Sequence, residues 1–129
     1  MPLQWWTIRC SAPVFGRSSR AVRRLSAPNP EMNVEKVLLR GVVVIPAYNE
    51  EDTIAEVVRE LEAEGLGVDI LVVNDGSSDG TGRVLAEIPA AITVTHPINL
   101  GYGAAVQTGM LYAVLEGYDF LALMDAAGQ

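Results

Sequence analysis

Three polar clusters hold the residue types that could do chemistry. They are Pro46, Ala47, Tyr48, Asn49 and Glu50; Asn74, Asp75, Gly76, Ser77, Ser78 and Asp79; and Asp125, Ala126, Ala127, Gly128 and Gln129. Acids dominate, so a bare phosphate finds little to hold it. Carboxylates on separate clusters suit Mg2+ or Mn2+, hard cations that take oxygen ligands and keep waters and substrate phosphates as the rest of the shell. A carboxylate also accepts hydrogen bonds from a base N–H or from ribose hydroxyls. The chemistry that fits is metal-assisted binding of a nucleotide or a nucleotide diphosphate. Taken singly, each cluster reads as a solvated turn with a helix cap, and Asp79 and Thr53 read as caps. A joint role requires that the fold bring the clusters to one edge.

Other reactive residues point elsewhere. His96 is the only histidine; with no carboxylate near it in sequence, it reads as an ordinary surface or capping residue. The single cysteine, Cys10, excludes an internal disulfide and a cysteine zinc cage. Glu60, Glu62 and Glu64 read as a solvated helix face.

The elements that must position the clusters are legible from punctuation. Val42, Val43, Val44 and Ile45 form an unalternating β-branched run ended by Pro46, as in a parallel strand buried on both faces. Ile54, Val57, Val58 and Leu61 then fall on one helical stripe. Thr53 and Glu56 have capping-box spacing, and Gly65 suits the left-handed position past the last turn. The cycle repeats: a strand at 70–73, a helix carrying Val84, Leu85 and Ile88, and a strand at 92–95. A third helix opens at Gly101 with an apolar face of Val106, Met110, Ala113 and Val114, and a fourth strand spans 120–124. This alternation predicts an α/β fold with a parallel, doubly wound sheet. In such sheets ligands bind beyond the carboxyl ends of the strands, where the three clusters stand.

The chain has 129 residues, with 16 acidic and 9 basic groups and a formal net charge of −7, which argues against a nucleic-acid partner. Residues 1–30 hold five arginines and no acid, with scattered serines and prolines. That composition suits an organellar transit peptide or, as the preferred reading, an upstream extension with Met32 as the working start. Residues 1–38 are therefore expected to stay out of the fold, and 39–129 to form the N-terminal portion of a longer domain. No formal charge lies between Glu87 and Glu116, but Pro89, Pro97, Asn99, Gly101, Gly103 and Gln107 interrupt the stretch. It reads as the buried centre of a sheet rather than a membrane span.

The run from Val44 to Glu51, the run from Val72 to Thr81, the segment Asn99, Leu100, Gly101, Tyr102 and Gly103, and the run from Met124 to Gln129 together resemble the family 2 inverting glycosyltransferases. The nearest branch is that of the dolichol- or polyprenol-phosphate mannosyl- and glucosyltransferases. The resemblance implies a Rossmann-like GT-A fold, a nucleotide diphosphate sugar as donor and a polyprenyl phosphate as a candidate acceptor. It implies that Pro46, Tyr48 and Glu50 line the nucleotide pocket, with Val73 and Asp75 at the second strand's end and Asp75 accepting from the base. Asp125 matches the first acid of a D-x-D motif and the Mg2+ or Mn2+ ligand, Ala126 the residue between, and Gln129 a glutamine near the diphosphate. It further implies a cytoplasmic, membrane-peripheral parent.

Two departures stand out. The second acid of D-x-D is Ala127, and a methyl group ligates no metal. No residue of 1–129 matches the family's general base, since Asp119 precedes its strand. A nucleotide-binding chain without transfer activity is therefore the alternative reading. Gly101 and Gly103 are assigned to close backbone packing. Their G-x-G is no dinucleotide fingerprint, because Val106 stands where the third glycine is required, which disfavours an oxidoreductase.

Overall fold

The computed structural model describes residues 6–9 and 38–126. Its elements are β1 (Trp6–Arg9), β2 (Gly41–Ala47), α1 (Ile54–Ala63), β3 (Asp69–Asn74), α2 (Thr81–Ala86), β4 (Ala91–Thr95), α3 (Tyr102–Leu115) and β5 (Phe120–Leu123). The sheet order is β1-β5-β2-β3-β4. β2, β3, β4 and β5 run parallel, as the strand–helix alternation requires, and β1 adds antiparallel to β5.

The β-branched runs do not alternate because both faces of the sheet are covered. Val43, Ile45, Ile70 and Val72 pack with Ile54, Val58 and Leu61 of α1 and Leu85 of α2. Val42, Val44, Leu71 and Val73 pack on the other face with Ala105 and Ala113 of α3. All seven residues of β2 are buried, and each such valine or isoleucine contributes about 1.5–3 kcal/mol relative to exposure.

Four sequence expectations need correction. Residues 1–38 do not stay wholly out of the fold, because Trp6–Arg9 pairs with β5 over four positions, from Trp6↔Leu123 to Arg9↔Phe120. The pairing covers a β5 edge whose amides and carbonyls would otherwise be open, and four residues are too few to show a strand period. Cys10 and residues 10–37 lie outside the described residues. The uncharged stretch after Glu87 is not the centre of the sheet: β4 is an edge strand with Thr93 and Thr95 exposed.

The sheet-facing stripe of α3 is Ala105, Gly109 and Ala113, whereas Val114 is exposed and Val106 and Met110 are half-buried. α3 is apolar on most sides, so periodicity could not select its face. Small residues do so by admitting β2: a Cβ on Gly109 would stand 2.3 Å from Val44 Cγ1. Finally, the Thr53–Glu56 capping box does not form; Thr53 occupies the N-cap of α1 without bonding its amides. Gly65 does take the left-handed conformation expected, at φ 60°.

At the amino edge, Arg40 stacks its guanidinium 4.7 Å from the Tyr118 ring centre, and its amide donates to Asp119 Oδ2 at 2.8 Å. Tyr118 donates its hydroxyl to Asp69 at 2.5 Å. Burial, with that bond to the carboxylate, holds the phenol well above its ordinary pKa. Asp119 thus lies on the side of the sheet away from the polar clusters. Among the described residues no helix is long and apolar enough to cross a membrane.

Candidate functional site at the carboxyl edge of the sheet

The clusters after β2, β3 and β5 meet at one edge and are tied by side chains. Asn49, in the left-handed region at φ 53°, accepts the Ser78 and Asp79 amides on Oδ1 at 2.9 and 3.3 Å. Its own amide donates to Ser77 Oγ at 3.1 Å. The Glu50 amide donates to Thr81 Oγ1 at 2.9 Å, and the Gly80 amide to Glu51 Oε2 at 2.8 Å. Asn74 takes the Ser77 amide and hydroxyl at 3.2 and 2.6 Å. Asp79 takes the amide and hydroxyl of Thr81 at 2.9 and 2.5 Å from one position before the N-cap of α2, which is Gly80, so it tethers the first turn without being the expected cap. Burial works upward on the Asp79 pKa, but these bonds and the Glu51 amide outweigh it and hold the carboxyl below its ordinary range. The amides of residues 77–81 are thus all taken by side chains of this chain, so the loop is not a phosphate cradle.

Proline opens the edge. The β2–β5 ladder ends at Val44↔Leu123, and its last bond runs from the Met124 amide to the Val44 carbonyl at 3.0 Å. The next parallel bond would need an N–H on Pro46, which proline lacks. Pairing continues on the other side, Pro46↔Val73 and Ala47↔Asn74. Beyond that point Tyr48 is half-exposed, Glu50 is half-buried and Asp125 is exposed. Thr53 joins them: its hydroxyl lies 2.8 Å from Glu50 Oε2 and 3.2 Å from the Ala126 carbonyl, which is why it serves no helix amide.

Of the residues singled out from sequence, Pro46, Tyr48, Glu50, Asp125 and Ala126 come to this opening. Ala126 is itself buried, so its carbonyl rather than its methyl faces Thr53. Val73 does not present a side chain there, because it is fully buried against the α3 side of the sheet. Asp75 is only 2% exposed and does not offer an open carboxylate to a base. Its Oδ1 takes the Leu100 amide at 2.9 Å and faces His96 Nδ1 at 2.7 Å, and Oδ2 takes the Gly101 amide at 2.8 Å. Burial pushes the Asp75 pKa up, but these donors together hold it below the ordinary carboxylate range. Gln129 and Ala127 lie outside the described residues.

His96 is the main residue that sequence reading missed. It is 8% exposed, and its second nitrogen, Nε2, is 2.7 Å from Thr108 Oγ1. The signal was register: Asn74↔Thr95 pairs the last residues of adjacent parallel strands, so Asp75 and His96 must follow side by side. The glycine assignment also changes. A Cβ on Gly101 or Gly103 would meet nothing within 4 Å, so neither serves close packing; Gly101 is required by its φ of 98°.

The four parallel strands with helices on both faces form a sheet of the GT-A type. Residues 42–127 match Glycosyl transferase family 2, and the chain belongs to that family. It is 38% identical over 94 residues to the polyprenol monophosphomannose synthase of Mycolicibacterium smegmatis, covering 69% of this chain and 36% of that protein. It is 33% identical over 103 residues to the UDP-N-acetylglucosamine–dolichyl-phosphate N-acetylglucosaminyltransferase of Methanococcus voltae, covering 67% and 41%. Among solved structures it resembles the mannosyltransferase PcManGT from Pyrobaculum calidifontis, in complex with GDP-Man and Mn2+. The TM-score is 0.56 at 24% identity, covering 67% of this chain and 27% of that one. The chain thus spans about two fifths or less of these relatives' lengths.

The donor set here is thin for a divalent cation. Among the described residues no group of three or more His, Cys, Asp or Glu side chains could hold one. The β5 end supplies one carboxylate, Asp125, followed by a carbonyl shared with Thr53 and then by Ala127. These residues do not make the two-acid site that the resemblance implies.

Proposed function

We propose that residues 39–129 form the nucleotide-sugar-binding part of a glycosyltransferase that moves a sugar to a polyprenyl phosphate with inversion. A single in-line displacement forms the bond from the acceptor oxygen to the anomeric carbon as the bond to the diphosphate breaks, and one displacement inverts. The observation that carries the reading is the opening at Pro46, where Tyr48, Glu50 and Asp125 gather at the carboxyl edge. Tyr48 offers an aromatic face to a base or sugar, and Glu50 can accept ribose hydroxyls while Thr53 steadies it. The Mn2+ in the PcManGT complex and the polyprenyl and dolichyl acceptors named for the relatives support the same class. A cytoplasmic, membrane-peripheral placement belongs to this reading.

Calorimetric titration of the chain with GDP and with UDP, with and without Mn2+, tests it. Saturable binding of either nucleotide is expected. A folded chain that binds neither rules the reading out. Ala127 favours a second reading, nucleotide binding without transfer, for which the same titration succeeds while no sugar passes to a polyprenyl phosphate.

A further inference from the structure

Asp75, His96 and Thr108 form a buried carboxylate–imidazole–hydroxyl chain that the reading above does not use. Its carboxylate end holds a turn. Leu100 and Gly101 donate both amides to Asp75, and the turn is pressed on the β3 end by Gly76, whose Cβ position lies 2.3 Å from the Ile98 carbonyl carbon. The same segment exposes Ile98, Leu100 and Tyr102 at the edge where Tyr48 stands. Exposed apolar side chains on this carboxyl edge, at the β3–β4 side of it, suit the flat face of a base.

The imidazole is fixed at both ends. The low pKa of Asp75 keeps it an acceptor, so Nδ1 carries the proton and donates to it. Nε2 then accepts from the Thr108 hydroxyl. Without His96, the Asp75 carboxylate loses one of its three donors in a buried place and can swing away from Leu100 and Gly101.

We propose that His96 is a positioning residue of the nucleotide site, which acts through Asp75 to hold the apolar 98–102 wall in place. This rests on the reading that the edge binds a nucleotide. Two substitutions separate positioning from bulk packing. H96N keeps an N–H donor at the Nδ1 position, whereas H96Q reaches toward Thr108 and leaves Asp75 without one.

The test is calorimetric titration of the full chain with GDP and UDP, corrected for the folded fraction, beside the thermal midpoint of each variant. H96N should bind within about threefold of the unsubstituted chain, and H96Q about tenfold more weakly, the effect of one hydrogen bond to a charged group. If both variants lower the midpoint but bind as the unsubstituted chain does, His96 only packs and the proposal falls alone. If the unsubstituted chain binds neither nucleotide while folded, the proposal falls together with the functional reading. Should H96Q not fold, T108V and T108S carry the test. T108V should weaken binding several-fold and T108S should not, and equal binding by the two overturns the proposal.

Discussion

Asn49 Oδ1 accepts the Ser78 amide at 2.9 Å, so a side chain after β2 closes the loop after β3. Asparagine suits the place twice, since it tolerates φ 53° and carries a side-chain acceptor. The two roles can be separated. Asn49→Gly keeps the left-handed backbone and loses the acceptor; Asn49→Ala loses both. The expected stability order in urea unfolding is unsubstituted, then Asn49→Gly, then Asn49→Ala. The glycine variant should lose about 1–2 kcal/mol and the alanine variant about 1 kcal/mol more. Equal loss in the two variants would show that the backbone conformation carries no weight.

Asp75 makes the fold acid-sensitive in a defined direction. Its folded pKa lies below the ordinary 3.8, because the Leu100, His96 and Gly101 donors outweigh the upward push of burial. A depressed folded pKa contributes stability that is present above the unfolded value and lost as pH falls through the folded one. The contribution should therefore be whole above about pH 4 and fade below it. Asp75→Asn should lower stability at neutral pH and flatten the acid limb of the stability curve. Asp79, also depressed, remains in both proteins. Denaturant unfolding at a series of pH values from neutral to strongly acid checks this, and parallel curves throughout would contradict it.

How much of this was legible in the sequence depended on whether a signal was local. The buried runs of β2 and β3, the stripe of α1 and the left-handed Gly65 follow from neighbours in the chain, and the structure reproduces them. The convergence of the clusters after β2, β3 and β5 follows from parallel topology. What sequence reading missed depends on partners far apart in the chain: Thr53 leaves its helix amides for Ala126, and His96 meets a carboxylate across the strand register. The resemblance has Asp75 accepting from a base, whereas its oxygens here take the Leu100 and Gly101 amides of a turn distant in sequence. The strand at Trp6–Arg9 was hidden because a four-residue backbone pairing leaves no pattern in composition.

The closeness of α3 to β2 yields a stability test. Alanine is ordinarily about 1 kcal/mol better than glycine within a helix. At Gly109 the added methyl would lie 2.3 Å from Val44 Cγ1, on a fully buried side chain. Gly109→Ala should therefore destabilise by about 1–3 kcal/mol, the usual cost of overpacking. Adding Val44→Ala should recover part of that loss, although Val44→Ala alone destabilises by leaving a cavity. Thermal unfolding of the two single variants and the double variant measures the coupling. Simple additivity would mean that the added methyl does not strain against Val44.

The last prediction concerns the acid missing at position 127. Asp125 is the one carboxylate at the end of β5, and a divalent cation bridging it to a diphosphate would have to complete its shell with phosphate and water oxygens. Such a site gains little from the protein, so Mn2+ should change GDP or UDP affinity by less than about threefold in the unsubstituted chain. Ala127→Asp restores a second oxygen donor two residues from the first. In that variant Mn2+ should strengthen nucleotide binding about tenfold or more, on the order of the 1.4 kcal/mol that a further charged ligand readily supplies. The gain should vanish when Asp125→Asn is added, because neither position alone then offers a pair. Calorimetry with and without Mn2+ on the three proteins decides it. A strong Mn2+ effect in the unsubstituted chain would instead place a second cation ligand elsewhere on this edge, with Glu50 the first residue to substitute.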